Sequence, residues 1–209
     1  HNQSRRQRQM CIRDRFTAAG ALRLAQRLEP YDPLWFEEPC PPDMPEEMAK
    51  VAAGTTIAVA SVERLCSKFE FARVLDHGAA AILQPDLGRA GGILEGKKIA
   101  AMAETRYVQI APHLYCGPIV AAANIQLAAC IPNFLILESI GRMDGFHAEL
   151  LKTPLRWEDG YILPPTAPGL GVELNDDVVA AHPWQGDRLH LEMGDAPHDP
   201  RRHGPFAGG

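Results

Sequence analysis

Three features of this 209-residue sequence predict an α/β fold, a partial (β/α) barrel built on a parallel sheet. Short apolar runs of strand length alternate with longer helical patterns. The runs are continuously apolar instead of alternating, as expected of parallel strands covered on both faces. An ionisable residue also stands at the C-terminal end of each run. These residues, Glu37, Glu63, Asp86, His113 and Glu138, recur at intervals of 26, 23, 27 and 25 positions, about the length of one repeated βα unit.

Taken in order, residues 17–28 set Leu22, Ala25 and Leu28 on one side of a helix. The run "PLWF" (33–36) leads into the adjacent carboxylates Glu37 and Glu38 and is stopped by Pro39, Pro41 and Pro42. Asp43 and Pro45 open a helix through Ala53, with Gly54 beyond its end. "TIAVA" (56–60) is the next strand, and Ser67 with Glu70 forms a capping box for a helix ending near Gly78. "AAILQ" (80–84), "YVQIA" (107–111) and "NFLILE" (133–138) are the remaining strands, separated by alanine-rich helices over 91–105 and 118–130.

In a barrel of this kind all strand C-termini lie on one face, where active sites are built. Singly, each of the five ionisable residues reads as a solvated loop residue. His113 after Ala-Pro reads as a satisfied histidine, and Asp86 as a helix N-cap. Five at strand ends in one repeat read as a site. Glu37 and Glu63 suit a hard cation such as Mg²⁺, which takes oxygen ligands, with a third carboxylate expected. Asp86 and His113 suit an orienter and a base. Metal and imidazole together are the arrangement for removing a proton α to a carboxylate. Glu38 faces the other way, as a structural carboxylate.

Composition narrows the partners. With 46% hydrophobic and 22% charged residues the chain is an ordinary globular protein. A net charge of −5 argues against nucleic acid or an anionic membrane. No apolar stretch approaches the ~18 residues of a membrane span. Five scattered cysteines without a C-x-x-C pair fit a reducing cytoplasm better than a disulfide framework or a zinc site.

The stretches "WFEEP", "IAVASVERL", "ILQPDLGRAGGILEGKKIAAMAE", "YVQIAPHLYCGP" and "PNFLILE", with "PPTAPGLGVEL" following, resemble the C-terminal barrel domain of the enolase superfamily, mandelate racemase subgroup. Within it they are most similar to the galactonate dehydratase-like sugar-acid dehydratases. The resemblance implies Mg²⁺ on Glu37 and Glu63, a catalytic dyad of Asp86 and His113, and Glu138 on the side of the substrate carboxylate. It implies β-elimination of water from a small sugar acid to give a 2-keto-3-deoxy acid, in a homo-oligomeric cytoplasmic enzyme. A racemase or epimerase of the same superfamily is the alternative, as is a truncated, non-catalytic binding module.

The departures are specific. The family's preceding strand ends in Asp-x-His-Gly-Arg-Phe, carrying the first metal ligand and the acid that protonates the leaving hydroxyl. Aligned on Arg15-Phe16, this chain has Cys11 and Arg13 in those places. Val62 replaces the glycine usual before the third ligand and is expected to crowd the pocket. The N-terminal capping domain and the first barrel strands have no counterpart, so five strands leave open edges instead of a closed barrel. Residues 1–15, arginine-rich, read as a non-native or disordered segment, 16–174 as the partial barrel, and 175–209 as a partly disordered extension. The three tail histidines, His190, His198 and His203, lie in a composition that does not order a metal site.

Overall fold

The computed structural model describes residues 9–11, 17–139 and 141–183. Five strands, β1 (Gln9–Cys11), β2 (Trp35–Glu37), β3 (Val59–Ser61), β4 (Ile82–Leu83) and β5 (Gln109–Ile110), pair in parallel and in chain order. A sixth strand position joins beside β5 through a parallel bridge between Ile110 and Phe134. Helices α1 (Ala18–Leu28), α2 (Pro45–Ala53), α3 (Lys68–Asp76) and α4 (Gly92–Glu104) connect successive strands, and α5 (Pro118–Ala128) leads to Phe134. A short helix α6 (Phe146–Glu149), an antiparallel hairpin of β6 (Trp157–Glu158) and β7 (Tyr161–Ile162), and α7 (Asp176–Ala181) follow.

Alternation along the strands sorts the two faces of the sheet. Phe36, Val59, Leu83 and Ile110 pack with Met48, Val51, Phe71, Val74, Ile99 and Leu127 from the helices, forming the main core. Their neighbours Trp35, Ala60, Ile82 and Ala111 make a smaller cluster on the opposite face. Glu37 is two residues from Trp35 and pairs in register with Ala60, so it belongs to this second face. Small residues there leave room for polar side chains at the strand ends.

The helix ends follow from local chemistry. Thr17 Oγ1 accepts from the Gly20 N–H at 3.2 Å and opens α1. Ser67 and Glu70 form the expected capping box, the Glu70 carboxylate accepting from the Ser67 N–H at 2.8 Å. Pro45 and Pro118 occupy first-turn positions of α2 and α5, where a missing N–H costs nothing. Gly96 lets α4 approach α5. A Cβ there would stand 2.5 Å from Leu87 Cδ2 and 3.2 Å from Leu127 Cδ2.

Several expectations differ from the structure. The cap of α2 is Met44, without a side-chain bond, rather than Asp43. The strands are two or three residues long, shorter than the apolar runs that predict them. Within the segment expected to add no fold element, Gln9–Cys11 pairs with β2, setting Cys11 opposite Glu37. The rest of residues 1–15, and the tail with His190, His198 and His203, lie outside the described residues. Among the described residues no helix is long and apolar enough to cross a membrane.

Candidate active site

Glu37, the last residue of β2, and the segments after the other strands carry the five sequence-predicted side chains to one end of the sheet. His113 is central. Its backbone N–H donates to the Pro85 carbonyl at 3.2 Å, and its own carbonyl accepts from Asn124 Nδ2 at 3.0 Å. The ring is thus fixed between the β4 loop and α5. Nδ1 lies 2.9 Å from Asp86 Oδ2, and Nε2 lies 3.2 Å from Glu63 Oε2 and 4.0 Å from Glu138 Oε2. Three carboxylates from three strand ends therefore surround one imidazole.

Asp86 does two jobs. Oδ1 accepts from the Gly88 N–H at 2.8 Å, turning the loop before α4, while Oδ2 holds the ring. The helix itself begins only at Gly92, so Asp86 shapes the turn and is not its N-cap. Burial pushes the Asp86 carboxyl up, but the bond to His113, the Gly88 N–H and the charges of His113 and Arg89 outweigh it. Asp86 lies below its ordinary value. For His113, burial opposes the charged form, and the Asp86 bond with the charges of Glu63, Glu138 and Asp86 overcomes this. Its value is raised. Glu138 is raised too, by burial first and by the charges of Glu37 and Glu63, against the Leu114 N–H, which it accepts at 2.8 Å, and against His113.

Glu37, only 3% exposed, is held by two donors on one oxygen. Trp35 Nε1 reaches Oε2 at 2.9 Å and Gln84 Nε2 reaches it at 3.1 Å. Trp35 and Glu37 share a strand face, as their two-residue spacing requires. Glu38 turns away with φ 46°, and its carboxylate crosses to the end of β3. There Oε1 accepts from Ser61 Oγ at 2.6 Å and from the Val62 N–H at 2.8 Å, and Oε2 lies 3.5 Å from Arg64 Nε. Val62 has φ 89° and is fully buried among the helix-side core residues. It does not crowd the pocket as expected. Its departure from glycine shows up as backbone strain, since a β-branched residue rarely adopts that conformation.

The donor chemistry suits a hard divalent cation: Glu37 and Glu63 offer carboxylate oxygens, and their charges raise Glu138, an excess of negative charge that a cation would offset. Among the described residues no three His, Cys, Asp or Glu side chains are arranged to hold a metal ion. Cys11 stands opposite Glu37 in the sheet, and Arg13 lies outside the described residues. Sequence reading missed Trp35, Gln84 and Asn124. The first two were within reach, because Trp35 has the face parity of Glu37 and Gln84 that of Asp86. Asn124 carried no such signal, as its role depends on how α5 packs.

This arrangement has relatives. The family model for enolase C-terminal domain-like proteins matches residues 12–178. A D-galactonate dehydratase from Ralstonia nicotianae is 45% identical over 171 residues, covering 79% of this chain and 45% of that protein. A proposed mandelate racemase/muconate lactonizing enzyme from Labrenzia alexandrii DFL-11 superposes with a TM-score of 0.84 at 66% identity, covering 87% of this chain and 47% of that one. A mandelate racemase/muconate lactonizing enzyme from Sulfitobacter gives 0.82 at 57%, over 90% and 47%. The chain spans about half the length of the relatives it matches.

Proposed function

The chain belongs to the enolase C-terminal domain-like family, and on that footing we propose that it is the barrel of a Mg²⁺-dependent sugar-acid dehydratase, a hydro-lyase acting on aldonates of galactonate type. The observation that carries this reading is the His113 imidazole, held at Nδ1 by Asp86 at 2.9 Å with Nε2 turned toward Glu63 and Glu138. Similarity to the Ralstonia dehydratase supports the substrate class.

In this proposal neutral His113 takes the C2 proton of the sugar acid at Nε2. Asp86 keeps the other proton on Nδ1, so that Nε2 is the acceptor, and stabilises the imidazolium that forms. The electrons of the broken C–H bond move toward the carboxylate. The C3–O bond then breaks, and the departing hydroxide takes a proton from solvent and leaves as water. The resulting enol loses its hydroxyl proton and gains one at C3 to become the 2-keto-3-deoxy acid, while His113 returns its proton to solvent. Glu138, held by the Leu114 N–H at 2.8 Å, stands on the side of the substrate carboxylate. Glu37 and Glu63 would hold Mg²⁺, which would supply positive charge to stabilise the electron density that proton removal creates. Trp35 and Gln84 hold the Glu37 carboxylate in place.

A second reading, removal and return of the C2 proton without loss of water, as in a racemase or epimerase, is favoured by Arg13 standing in the sequence where the family's acid belongs. Loss of hydroxide needs a proton donor, whereas proton exchange needs only the dyad. NMR of galactonate in D₂O with Mg²⁺ separates the readings. Dehydration gives C2 exchange together with 2-keto-3-deoxy acid, and exchange alone supports the second reading. Replacing His113 with Asn is expected to slow exchange at least about 100-fold, and an unchanged rate assigns the base elsewhere. A folded chain with no exchange above buffer is a non-catalytic binding module.

A further inference from the structure

Two residues with side chains sit at positive φ at adjacent strand ends, Glu38 at 46° and Val62 at 89°. Glycine adopts such angles freely; valine does not, because its branched Cβ meets the backbone. Strain of this kind persists only where the surroundings hold it in place. At Val62 the holding group is visible. The Glu38 carboxylate, itself 2% exposed, accepts both from the Val62 N–H at 2.8 Å and from the adjacent Ser61 hydroxyl at 2.6 Å. Charge-assisted bonds from a buried carboxylate are among the stronger ones available. The next residue after the strained peptide is Glu63, whose carboxylate lies 3.2 Å from His113 Nε2.

We infer that Glu38 is a positioning residue for Glu63. By holding Ser61 and Val62 it keeps Val62 in the left-handed conformation that turns Glu63 toward His113. Without the Glu38 oxygen, the Val62 N–H is buried without its partner and nothing offsets the strain. The peptide then rotates toward ordinary strand angles, and Glu63 swings away from the imidazole. The carboxylate acts here as an acceptor, so the amide oxygen of glutamine serves nearly as well. At a glycine the left-handed angle carries no strain, and the clamp becomes unnecessary.

The inference rests on the proposed site only in taking Glu63 as one of its carboxylates. The test uses the full chain and four proteins: wild type, Glu38→Gln, Glu38→Ala, and Glu38→Ala combined with Val62→Gly. Each is read by the Glu63–His113 separation in a crystal structure and by Mn²⁺ affinity from water-proton relaxation. Glu38→Ala is expected to lose the 3.2 Å contact and to weaken Mn²⁺ binding about 10-fold or more. Glu38→Gln keeps the contact and stays within about threefold, and the double variant recovers both readouts, a non-additivity that marks a direct coupling. The inference is overturned if Glu38→Gln loses as much as Glu38→Ala, because charge and not acceptance then matters. It is also overturned if Val62→Gly gives no recovery. Should Glu38→Ala fail to fold, the glutamine and double variants still decide. If wild type binds no Mn²⁺, the metal reading fails while the Glu63–His113 separation still judges the clamp.

Discussion

Replacing Trp35 with Phe tests how the buried Glu37 carboxylate is held. The indole N–H donates to Glu37 Oε2 at 2.9 Å, and Gln84 shares that oxygen at 3.1 Å. A hydrogen bond to a buried charge contributes about 1.5–3 kcal/mol. Phenylalanine keeps most of the ring contact with Ala60, Ile82 and Ala111, so the lost packing costs about 1 kcal/mol. The total is about 3 kcal/mol, which in a chain of this size lowers the thermal midpoint by about 6–12 °C. The assay is thermal unfolding in a double-mutant cycle with Glu37→Leu. In the Glu37→Leu background the hydrogen-bond share vanishes and only the packing share of about 1 kcal/mol remains, a coupling of about 2 kcal/mol. Equal losses in both backgrounds would mean that Trp35 acts by packing alone, and the assignment of its N–H to Glu37 would be refuted.

Two further outcomes follow from the same geometry. His113 is raised above its ordinary value of 6.5 in the folded chain, so its contribution is fully present below that value and lost as pH rises through the folded one. Raised Glu38 and Glu138 act in the same direction from lower pH, and lowered Asp86 loses its contribution only on acidification below its ordinary value of 3.8. With EDTA present, the thermal midpoint is therefore expected to fall between pH 6 and pH 8, and His113→Asn should flatten that fall; a midpoint rising over this interval contradicts the assignment. Gly96→Ala should destabilise by about 1–3 kcal/mol, because its Cβ meets Leu87 Cδ2 at 2.5 Å, and an unchanged midpoint in thermal unfolding shows that the leucine ends yield freely.

How much of this was legible in the sequence depends on the range of the interactions involved. The Ser67–Glu70 box and the helix-opening Pro45 are local and sit where spacing and composition put them. Four of the five apolar runs each overlap an observed strand, while 133–138 contributes a single bridge at Phe134. The gathering of Glu63, Asp86, His113 and Glu138 was legible for a different reason. A repeated βα unit places equivalent residues at one end of the sheet, so an arithmetic interval becomes proximity. The pairing of Gln9–Cys11 with β2 was not legible, because nothing in "QMC" has the apolar continuity of the other strands and the pairing is decided by the neighbouring edge. Asn124 was hidden likewise, since its bond to the His113 carbonyl spans eleven residues between a loop and a helix and follows no local spacing rule. Val62 was read as a matter of volume, whereas the structure makes it one of backbone angle. A one-letter code shows the size of a side chain and not the φ it must adopt.

The adjacent carboxylates Glu37 and Glu38 show why strand ends are suited to building such a site. Alternation sends consecutive side chains to opposite faces of a sheet, so two like charges one residue apart need not share an environment. Glu37 goes to the face lined by Trp35, Ala60 and Ile82 and takes donors from within it. Glu38, carried round by its positive φ, spends its oxygens on the next strand's Ser61 and Val62. Burial raises Glu38, and the bonds from Ser61 and Val62 oppose that rise. One carboxylate thus supplies charge to the pocket while the other supplies acceptors that shape the neighbouring strand end, where the next carboxylate of the site, Glu63, is placed. A substitution at Glu38 should therefore report on Glu63, one strand away, more strongly than on Glu37, its covalent neighbour.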